Sequence, residues 1–264
     1  MLHYTKSGNH PKTIVFIHGN SSSSCYWKTA LESNLANSYT LLAIDLPGHG
    51  DTPRSTTPET DYTIQGMAKQ VVSFLKTQIQ DNFILIGHSL GCNIIGEIAP
   101  ELKGCVGILL TGPSIIGKNL TAGDVMQENP TITPLFTAEP TSESITLMLE
   151  NVGEYMGSSE KKMIQEDILK ADSVVRTTLF QSIINAEYSD ELAAIEALRV
   201  PIGVVFGVSE TICKINYLDH VGLNLFNDKP FLIEEAGHYL QLDRPERMNS
   251  IYAVFTEICF SETR

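Results

Sequence analysis

The segment FILIGHSLG, residues 83–91, carries most of the information about the architecture of this chain. Its first four residues form a short apolar run, as expected of a strand buried on both faces of a sheet. Residues 89–99 are apolar on several sides and predict a buried helix. Between them lies Gly87-His88-Ser89-Leu90-Gly91, a G-x-S-x-G pattern in which small residues flank the serine at two positions on either side. We expect a very tight strand-to-helix turn that holds the Ser89 hydroxyl at a helix N-terminus, although an ordinary glycine-rich turn would leave the same pattern.

Similar apolar runs recur along the chain and end at a glycine, or at Asp45 and Pro47 in one case. Helix-like segments alternate with these runs, and the clearest cover residues 63–80 and 245–259. This alternation predicts an α/β protein with a mostly parallel, doubly wound sheet. Only twelve residues precede Thr13, so at most one short strand, residues 2–5, fits before it. The other predicted strands are Thr13–Ile17, 39–44, 83–86, 105–110, 202–206 and Phe231–Ile233.

Residues 114–190 interrupt the alternation, because they contain no convincing buried strand. Their first part is rich in glycine and proline, and residues 142–152, 159–170 and 173–185 then resemble helices. Each of the three begins with a serine that could accept a hydrogen bond from the first turn. We therefore predict an α/β core of residues 1–113 and 191–264, with a helical cap inserted at 114–190. Six apolar cap residues could line an acyl pocket or simply pack the cap onto the core: Leu135, Phe136, Leu147, Met148, Leu149 and Met156.

Reactive side chains are expected where the parallel strands end, since their carboxyl ends share one edge of the sheet. A serine hydroxyl needs a base to become nucleophilic, and His238 follows the last predicted strand, where a Ser…acid…His order requires the base. The acid that orients the histidine should follow an intervening strand, and Glu210 is the first acid after residues 202–206. Asp219 is a second candidate. The remaining histidines have no such placement: His18, His49 and His88 are expected to bond loop backbone, and His3, His10 and His220 are given no role.

Two backbone amides are candidates for stabilising an oxyanion. His18-Gly19-Asn20 follows the first buried strand, and Leu90 follows the candidate nucleophile. Preorganised N–H groups at such positions can stabilise the charge that develops during acyl transfer. The amides of Asn20 and Leu90 are therefore the predicted oxyanion hole, and the Asn20 side chain could bind substrate or orient its loop.

Composition narrows the range of partners. The chain has 31 acidic and 18 basic residues, a net charge of −13, which disfavours nucleic acid and anionic membranes as partners. No apolar run approaches the 18 residues of a membrane span, and no signal peptide is visible at Met1. The five cysteines show no C-x-x-C or metal-ligand spacing, which favours free thiols in a reducing compartment, the cytoplasm. We expect a small-molecule substrate and no metal site, and the sequence leaves the oligomeric state open.

Taken together and in order, these motifs resemble the α/β-hydrolase fold. The resemblance rests on His18-Gly19-Asn20, Asp45-Leu46-Pro47-Gly48-His49-Gly50, Gly87-His88-Ser89-Leu90-Gly91, the glycine and glutamate of Gly207-x-x-Glu210, and Gly237-His238. The first two loops and Thr111-Gly112-Pro113 are also similar to the bacterial N-acylhomoserine lactone hydrolases of this fold, which likewise place a glutamate at the acid position. The resemblance implies a serine hydrolase of esters or lactones that uses Ser89, His238 and Glu210 and needs no cofactor.

Other activities of the fold differ in the residue at the nucleophile position. Relatives that dehalogenate haloalkanes or open epoxides carry aspartate at the position of Ser89, so both activities are disfavoured. Short-chain carboxylesterases, C–C hydrolases, hydroxynitrile lyases and cofactor-free haloperoxidases keep the serine and stay open. A non-catalytic, receptor-like ligand-binding member of the fold is the alternative from another class.

Overall fold

A seven-stranded sheet forms the centre of the computed structural model, which describes residues 1–219 and 221–261. The strands lie in the order β1-β3-β2-β4-β5-β6-β7, and every neighbouring pair is parallel except β1 with β3. The α/β fold with a mostly parallel sheet is thus confirmed. The strands are β1 (Tyr4–Ser7), β2 (Thr13–Ile17), β3 (Thr40–Ile44), β4 (Phe83–His88), β5 (Cys105–Thr111), β6 (Ile202–Gly207) and β7 (Phe231–Ile233).

Burial explains the strand sequences. Every residue of β2 to β6 is buried, which matches their nearly unbroken apolar runs. The edge strand β1 is half-exposed, and it starts at Tyr4 rather than at Leu2 as predicted. It pairs antiparallel with β3, from Tyr4 opposite Ile44 to Ser7 opposite Leu41, and so forms a short edge before β2.

Helices cover the sheet and separate its strands. In α3, Thr63 lies just before the helix and its Oγ1 accepts a hydrogen bond from the Gly66 amide at 3.0 Å. The helices are α1 (Lys28–Leu31), α2 (Pro58–Asp61), α3 (Ile64–Gln78), α4 (Leu90–Ile98), α5 (Ala122–Val125), α6 (Ser142–Val152), α7 (Ser158–Lys170), α8 (Val175–Ile184), α9 (Glu191–Glu196), α10 (Leu240–Asp243) and α11 (Pro245–Ser261). Short 3-10 helices cover Ser24–Trp27, Asn34–Asn37, Ala99–Glu101 and Pro130–Phe136. Among the described residues, no helix combines the length and apolar character needed to cross a membrane.

Helices α5 to α9 come between β5 and β6 along the chain, and α9 packs against α4. The predicted serine caps of this region are wrong. Thr141 caps α6, its Oγ1 accepting from the Ser144 amide at 3.1 Å, whereas Gly157 and Val174 precede α7 and α8. Gly157 has no side chain and Val174 has no polar side-chain atom, so neither makes a side-chain cap. Helix α7 begins at Ser158, one residue before the predicted start, and α8 begins two residues after its predicted start.

Candidate active site

Ser89 occupies a strained turn between β4 and α4. Its backbone has φ 49° and ψ −117°, a conformation that few side-chain-bearing residues adopt and that costs on the order of 1–3 kcal/mol. The flanking glycines are required by close approach. A Cβ on Gly91 would collide with the Ile17 carbonyl oxygen, and one on Gly87 would lie 2.8 Å from the Gly91 backbone. The tight turn expected from G-x-S-x-G is therefore present, and it lies at the carboxyl edge of the sheet.

Glu210 and His238 form a buried pair on the loops that follow β6 and β7. Their side chains meet at 2.8 Å between Glu210 Oε2 and His238 Nδ1, and both residues are almost completely buried. The other carboxylate oxygen, Oε1, accepts from the amides of Ile212 at 2.7 Å and Cys213 at 3.2 Å. Because a carboxylate can only accept, Nδ1 carries the hydrogen, and in the neutral ring Nε2 is left as the acceptor. Asp219, the second candidate acid, is exposed.

His238 lies beside the strand end that carries the serine. Its ring is 4.8 Å from the ring of His88, the residue before Ser89, measured between centroids. Gly112, which follows β5, packs closely against His238, since a Cβ added to Gly112 would lie 3.3 Å from His238 Nδ1. Three strand ends thus bring the predicted serine, base and acid to one corner of the sheet edge.

The two predicted oxyanion amides belong to the same corner. Leu90 is the first residue of α4, and Asn20 follows β2 directly after Gly19. Within the described residues, neither amide donates to another protein group. The Asn20 side chain orients its loop, since Nδ2 donates to the Leu135 carbonyl at 2.8 Å and Oδ1 accepts from Ser21 Oγ at 3.1 Å.

The neighbouring histidines bond the backbone, as predicted. His18 Nε2 accepts from the Leu46 amide at 3.0 Å, and its Nδ1–H donates to the Gly19 carbonyl at 2.7 Å. His49 Nε2 accepts from the Ser21 amide at 3.0 Å, and burial lowers the pKa of His49 to about 3. Burial also depresses the pKa of His88, whose Nδ1 lies 3.2 Å from the Thr111 carbonyl oxygen. The three rings are therefore uncharged at neutral pH and serve to hold the backbone. His220 lies outside the described residues.

An apolar cavity of about 160 Å³ opens beside Ser89. Its polar lining residues are Asn20, Ser89, Asn93 and Ser114, and helix α8 with the Pro130–Phe136 turn covers one side. Of the six predicted pocket residues, Leu135 and Phe136 line the cavity. Met148, Leu149 and Met156 are buried away from the cavity and pack into the hydrophobic core, which is the second of the two expectations, whereas Leu147 is 56% exposed and does neither. The remaining lining residues are Leu90, Ile116, Ala122, Val125, Met126, Leu179, Phe180, Ile183, Ile184, Ile212 and Cys213.

Sequence reasoning missed two residues that hold these loops. Asp243 Oδ2 accepts from the amide of Gly237, the residue before His238, at 2.8 Å, and burial raises the pKa of Asp243 to about 6. Gln127, from the segment before α6, donates from Nε2 to the carbonyl oxygens of Glu210 and Cys213. No spacing or motif marks either residue, because both act on backbone groups that the fold brings near.

One group of potential metal ligands occurs outside this corner. Atoms of His3, Asp45 and Asp51 lie within 4.8 Å of one another. The Asp45 carboxylate already accepts from the amides of Ser24 at 2.6 Å and Asp51 at 2.9 Å, and His3 Nδ1 lies 2.7 Å from it. These hydrogen bonds explain why the three side chains lie together, since they hold the loop after β3 in place. We assign no metal to the group.

Comparison with known proteins decides the family. A profile of the alpha/beta hydrolase family matches residues 14–251. The chain belongs to this family. It is 21% identical over 257 residues to the monoacylglycerol lipase ABHD6 of Bos taurus, covering 93% of this chain and 75% of that protein.

Solved structures extend the comparison of the fold. N-acyl homoserine lactonase AidH complexed with N-butanoyl homoserine has a TM-score of 0.89 at 22% identity, over 98% of this chain and 93% of that one. The esterase RhEst1 from Rhodococcus sp. ECU1013 has a TM-score of 0.79 at 23% identity, over 96% and 94% of the two chains. At these identities the likeness establishes the α/β-hydrolase fold.

Proposed function

We propose that this protein is a serine hydrolase that cleaves a carboxylic ester or lactone through an acyl-enzyme. The observation that carries the proposal is the buried 2.8 Å pair of Glu210 and His238 at the sheet corner where Ser89 occupies its strained turn. A base that is oriented by a carboxylate and lies beside a serine is the arrangement that activates a weak hydroxyl nucleophile.

The proposed reaction has two halves. His238 Nε2 takes the proton of Ser89 Oγ as the oxygen attacks the carbonyl carbon, and the amides of Asn20 and Leu90 stabilise the oxyanion. His238 then returns the proton to the leaving alkoxide, which leaves an acyl group on Ser89. Water, deprotonated by His238, attacks this ester; His238 then gives the proton to Ser89 Oγ as the bond to the acyl carbon breaks, and the acid and the free serine are released. Glu210 stabilises the imidazolium in both halves.

The cavity supports a neutral, apolar acyl substrate. Its lining is apolar apart from four residues, and a net charge of −13 offers no attraction to anionic substrates. The likeness in fold to a lactonase complexed with N-butanoyl homoserine supports an N-acylhomoserine lactone as the substrate to test first, ahead of short-chain carboxylic esters. We also propose residues 114–190 as a cap over a core of 1–113 and 191–264, because α8 and the Pro130–Phe136 turn cover the cavity. Cys25, Cys92, Cys105 and Cys213 are free thiols, the last three of them buried, and they support our proposal of a reducing compartment, the cytoplasm.

The test is a Ser89→Ala variant assayed against hexanoyl-homoserine lactone and a short-chain nitrophenyl ester. We expect kcat to fall by about 10⁴-fold or more, because loss of the nucleophile removes the acyl-enzyme route. The matched control is Ser73→Ala, which removes an exposed hydroxyl from α3, outside the cavity. A fluorophosphonate should label the native chain and not the Ser89 variant. Undiminished turnover in the variant would reject the mechanism, and a native chain that neither labels nor turns over would favour the ligand-binding alternative over the proposed function.

A further inference from the structure

The loop that carries Glu210 is folded around its own carboxylate. After β6 the chain reverses so that the amides of Ile212 and Cys213 both point at Glu210 Oε1. The carbonyl groups of the same turn point the other way. The geometry of the carboxylate therefore depends on what holds the outer side of this turn.

Gln127 holds that side. Its Nε2 donates to the Glu210 carbonyl oxygen and to the Cys213 carbonyl oxygen, both at 2.8 Å. Because both partners are carbonyls, only the nitrogen of the side-chain amide can face them. The two bonds use both of its hydrogens and span the residues that begin and end the carboxylate turn.

The backbone around Gln127 aligns it for this contact. The Gln127 amide donates to the Ile212 carbonyl at 2.8 Å, and the Lys214 amide donates to the Val125 carbonyl at 2.8 Å. These bonds form a short antiparallel pairing that includes the Met126–Cys213 bridge. Residues 125–127, two of which line the cavity, are thus joined directly to the loop that carries Glu210.

We propose that Gln127 is a positioning residue that holds the Glu210 carboxylate in hydrogen-bonding position against His238. The segment that contains Gln127 would thereby set the geometry of the Glu210–His238 pair. The proposal rests on the proposed function for its kinetic consequence. Its structural consequence, on the titration of His238, does not require turnover.

Asn129, two residues away, provides a control that distinguishes positioning of Glu210 from simple attachment of the segment to the loop. Asn129 Nδ2 donates to the Thr211 carbonyl at 3.1 Å, so it ties the same segment to the same loop. Among the described residues, Asn129 makes no hydrogen bond to Glu210 or Cys213. Loss of Asn129 therefore weakens the attachment of the segment but leaves both hydrogen bonds from Gln127 to the turn that carries the Glu210 carboxylate.

The charged and titratable groups that face His238 are unaffected by the substitution. They are Glu210 at Nδ1, His88 from β4, Tyr239 from the same loop, and Asp243 from α10, which holds the Gly237 amide. Gln127 is uncharged. A change in His238 titration on its removal therefore reports the position of Glu210 and not a change in nearby charge.

The experiment compares Gln127→Met with Asn129→Leu. Methionine keeps the length of the side chain and removes both donors. Active enzyme is counted with the fluorophosphonate, and kcat and KM are measured per labelled site across pH. The titration of the His238 ring is followed by NMR without substrate, with a His238→Asn spectrum to assign its signals.

In Gln127→Met we expect kcat to fall about 10- to 100-fold with KM within about threefold of native, as for a small misplacement of a catalytic group. A displaced carboxylate stabilises the imidazolium less, so the His238 titration and the acid limb of the rate profile should both move to lower pH. Asn129→Leu should leave both in place. An unmoved His238 titration in Gln127→Met overturns the proposal whether or not the protein turns over an ester. Failure of the proposed function is read separately, from native labelling and turnover.

Discussion

The loops at the carboxyl edge of the sheet and the helices α6 to α8 are held by different kinds of contact. At the edge, backbone atoms dominate: Ser89 is held between two glycines that pack against neighbouring backbone, and Glu210 accepts from two amides of its own loop. Such contacts leave little choice of residue. Only glycine fits where the backbones approach so closely, and the two amides need an acceptor, so the sequence of the edge can be interpreted directly.

The helices are attached through side chains. Arg176 of α8 donates to the carbonyls of Thr137 at 2.7 Å, Ala138 at 2.6 Å and Ile168 at 2.9 Å, while itself almost completely buried. Asp167 of α7 accepts from Ser23 Oγ of the core at 2.8 Å. Many residue types could serve at such contacts. The attachment of α6 to α8 therefore leaves no fixed sequence pattern that a motif could reveal.

The largest effect should follow from disturbing the edge at the acid. Glu210→Gln keeps an oxygen for the loop amides but presents an amide group to His238 Nδ1, which favours the wrong ring tautomer. We expect kcat on the substrate found to fall about 10⁴-fold with the fold intact. The control is Glu234→Gln, which changes an exposed carboxylate near β7. If kcat fell less than tenfold, Glu210 would not be the acid that orients His238. The loops at the sheet edge would then tolerate substitution as readily as the contacts of α6 to α8.

An intermediate effect should follow from breaking the side-chain attachment of α8. Arg176→Met leaves three carbonyl oxygens without their donor in a buried site, so the free energy of unfolding should fall by about 2–4 kcal/mol. Urea denaturation measures this difference. Lys162→Met, on the exposed side of α7, should change stability by less than about 0.5 kcal/mol. If the two variants were equally stable, the helices would be held by apolar packing and not by Arg176.

The same contrast explains which features were predictable. The strands were found because β2 to β6 are buried on both faces, and the positions of Ser89 and His238 followed from their places after strands β4 and β7. The pairing of Glu210 with His238 followed from its being the first acid after β6, and the structure brings the two together.

What could not be predicted depends on contacts between distant side chains and backbone. Gln127 holds a turn 83 residues away, and nothing in its local sequence indicates this. The three serines expected to cap α6 to α8 failed for a related reason. A threonine, a glycine and a valine precede those helices instead, because propensity at a helix end is a weak preference that the surrounding packing overrides.

The smallest effect concerns the buried carboxyl of Asp167. Burial raises the pKa of Asp167 to about 6, with the charge of Asp45 acting in the same direction and the Ser23 hydroxyl opposing it. The pKa of an unfolded aspartate is about 3.9, so the folded chain binds this proton more tightly. The stability contributed by Asp167 is therefore fully present below about pH 4 and is lost as the pH rises through about 6.

Asp167→Asn removes this titration while keeping an oxygen that can accept from Ser23. We expect the stability of the variant relative to the native chain to rise by about 1–2 kcal/mol between pH 4.5 and pH 7.5, followed by urea denaturation at both values. Asp243, whose pKa burial also raises to about 6, is present in both proteins and cancels in the difference. The control Asp219→Asn alters an exposed carboxyl and should give no such rise. A difference that stays flat with pH for Asp167→Asn as well would mean that the α7 attachment does not hold a buried titrating group, and the contrast between edge and helices would then rest on Arg176 alone.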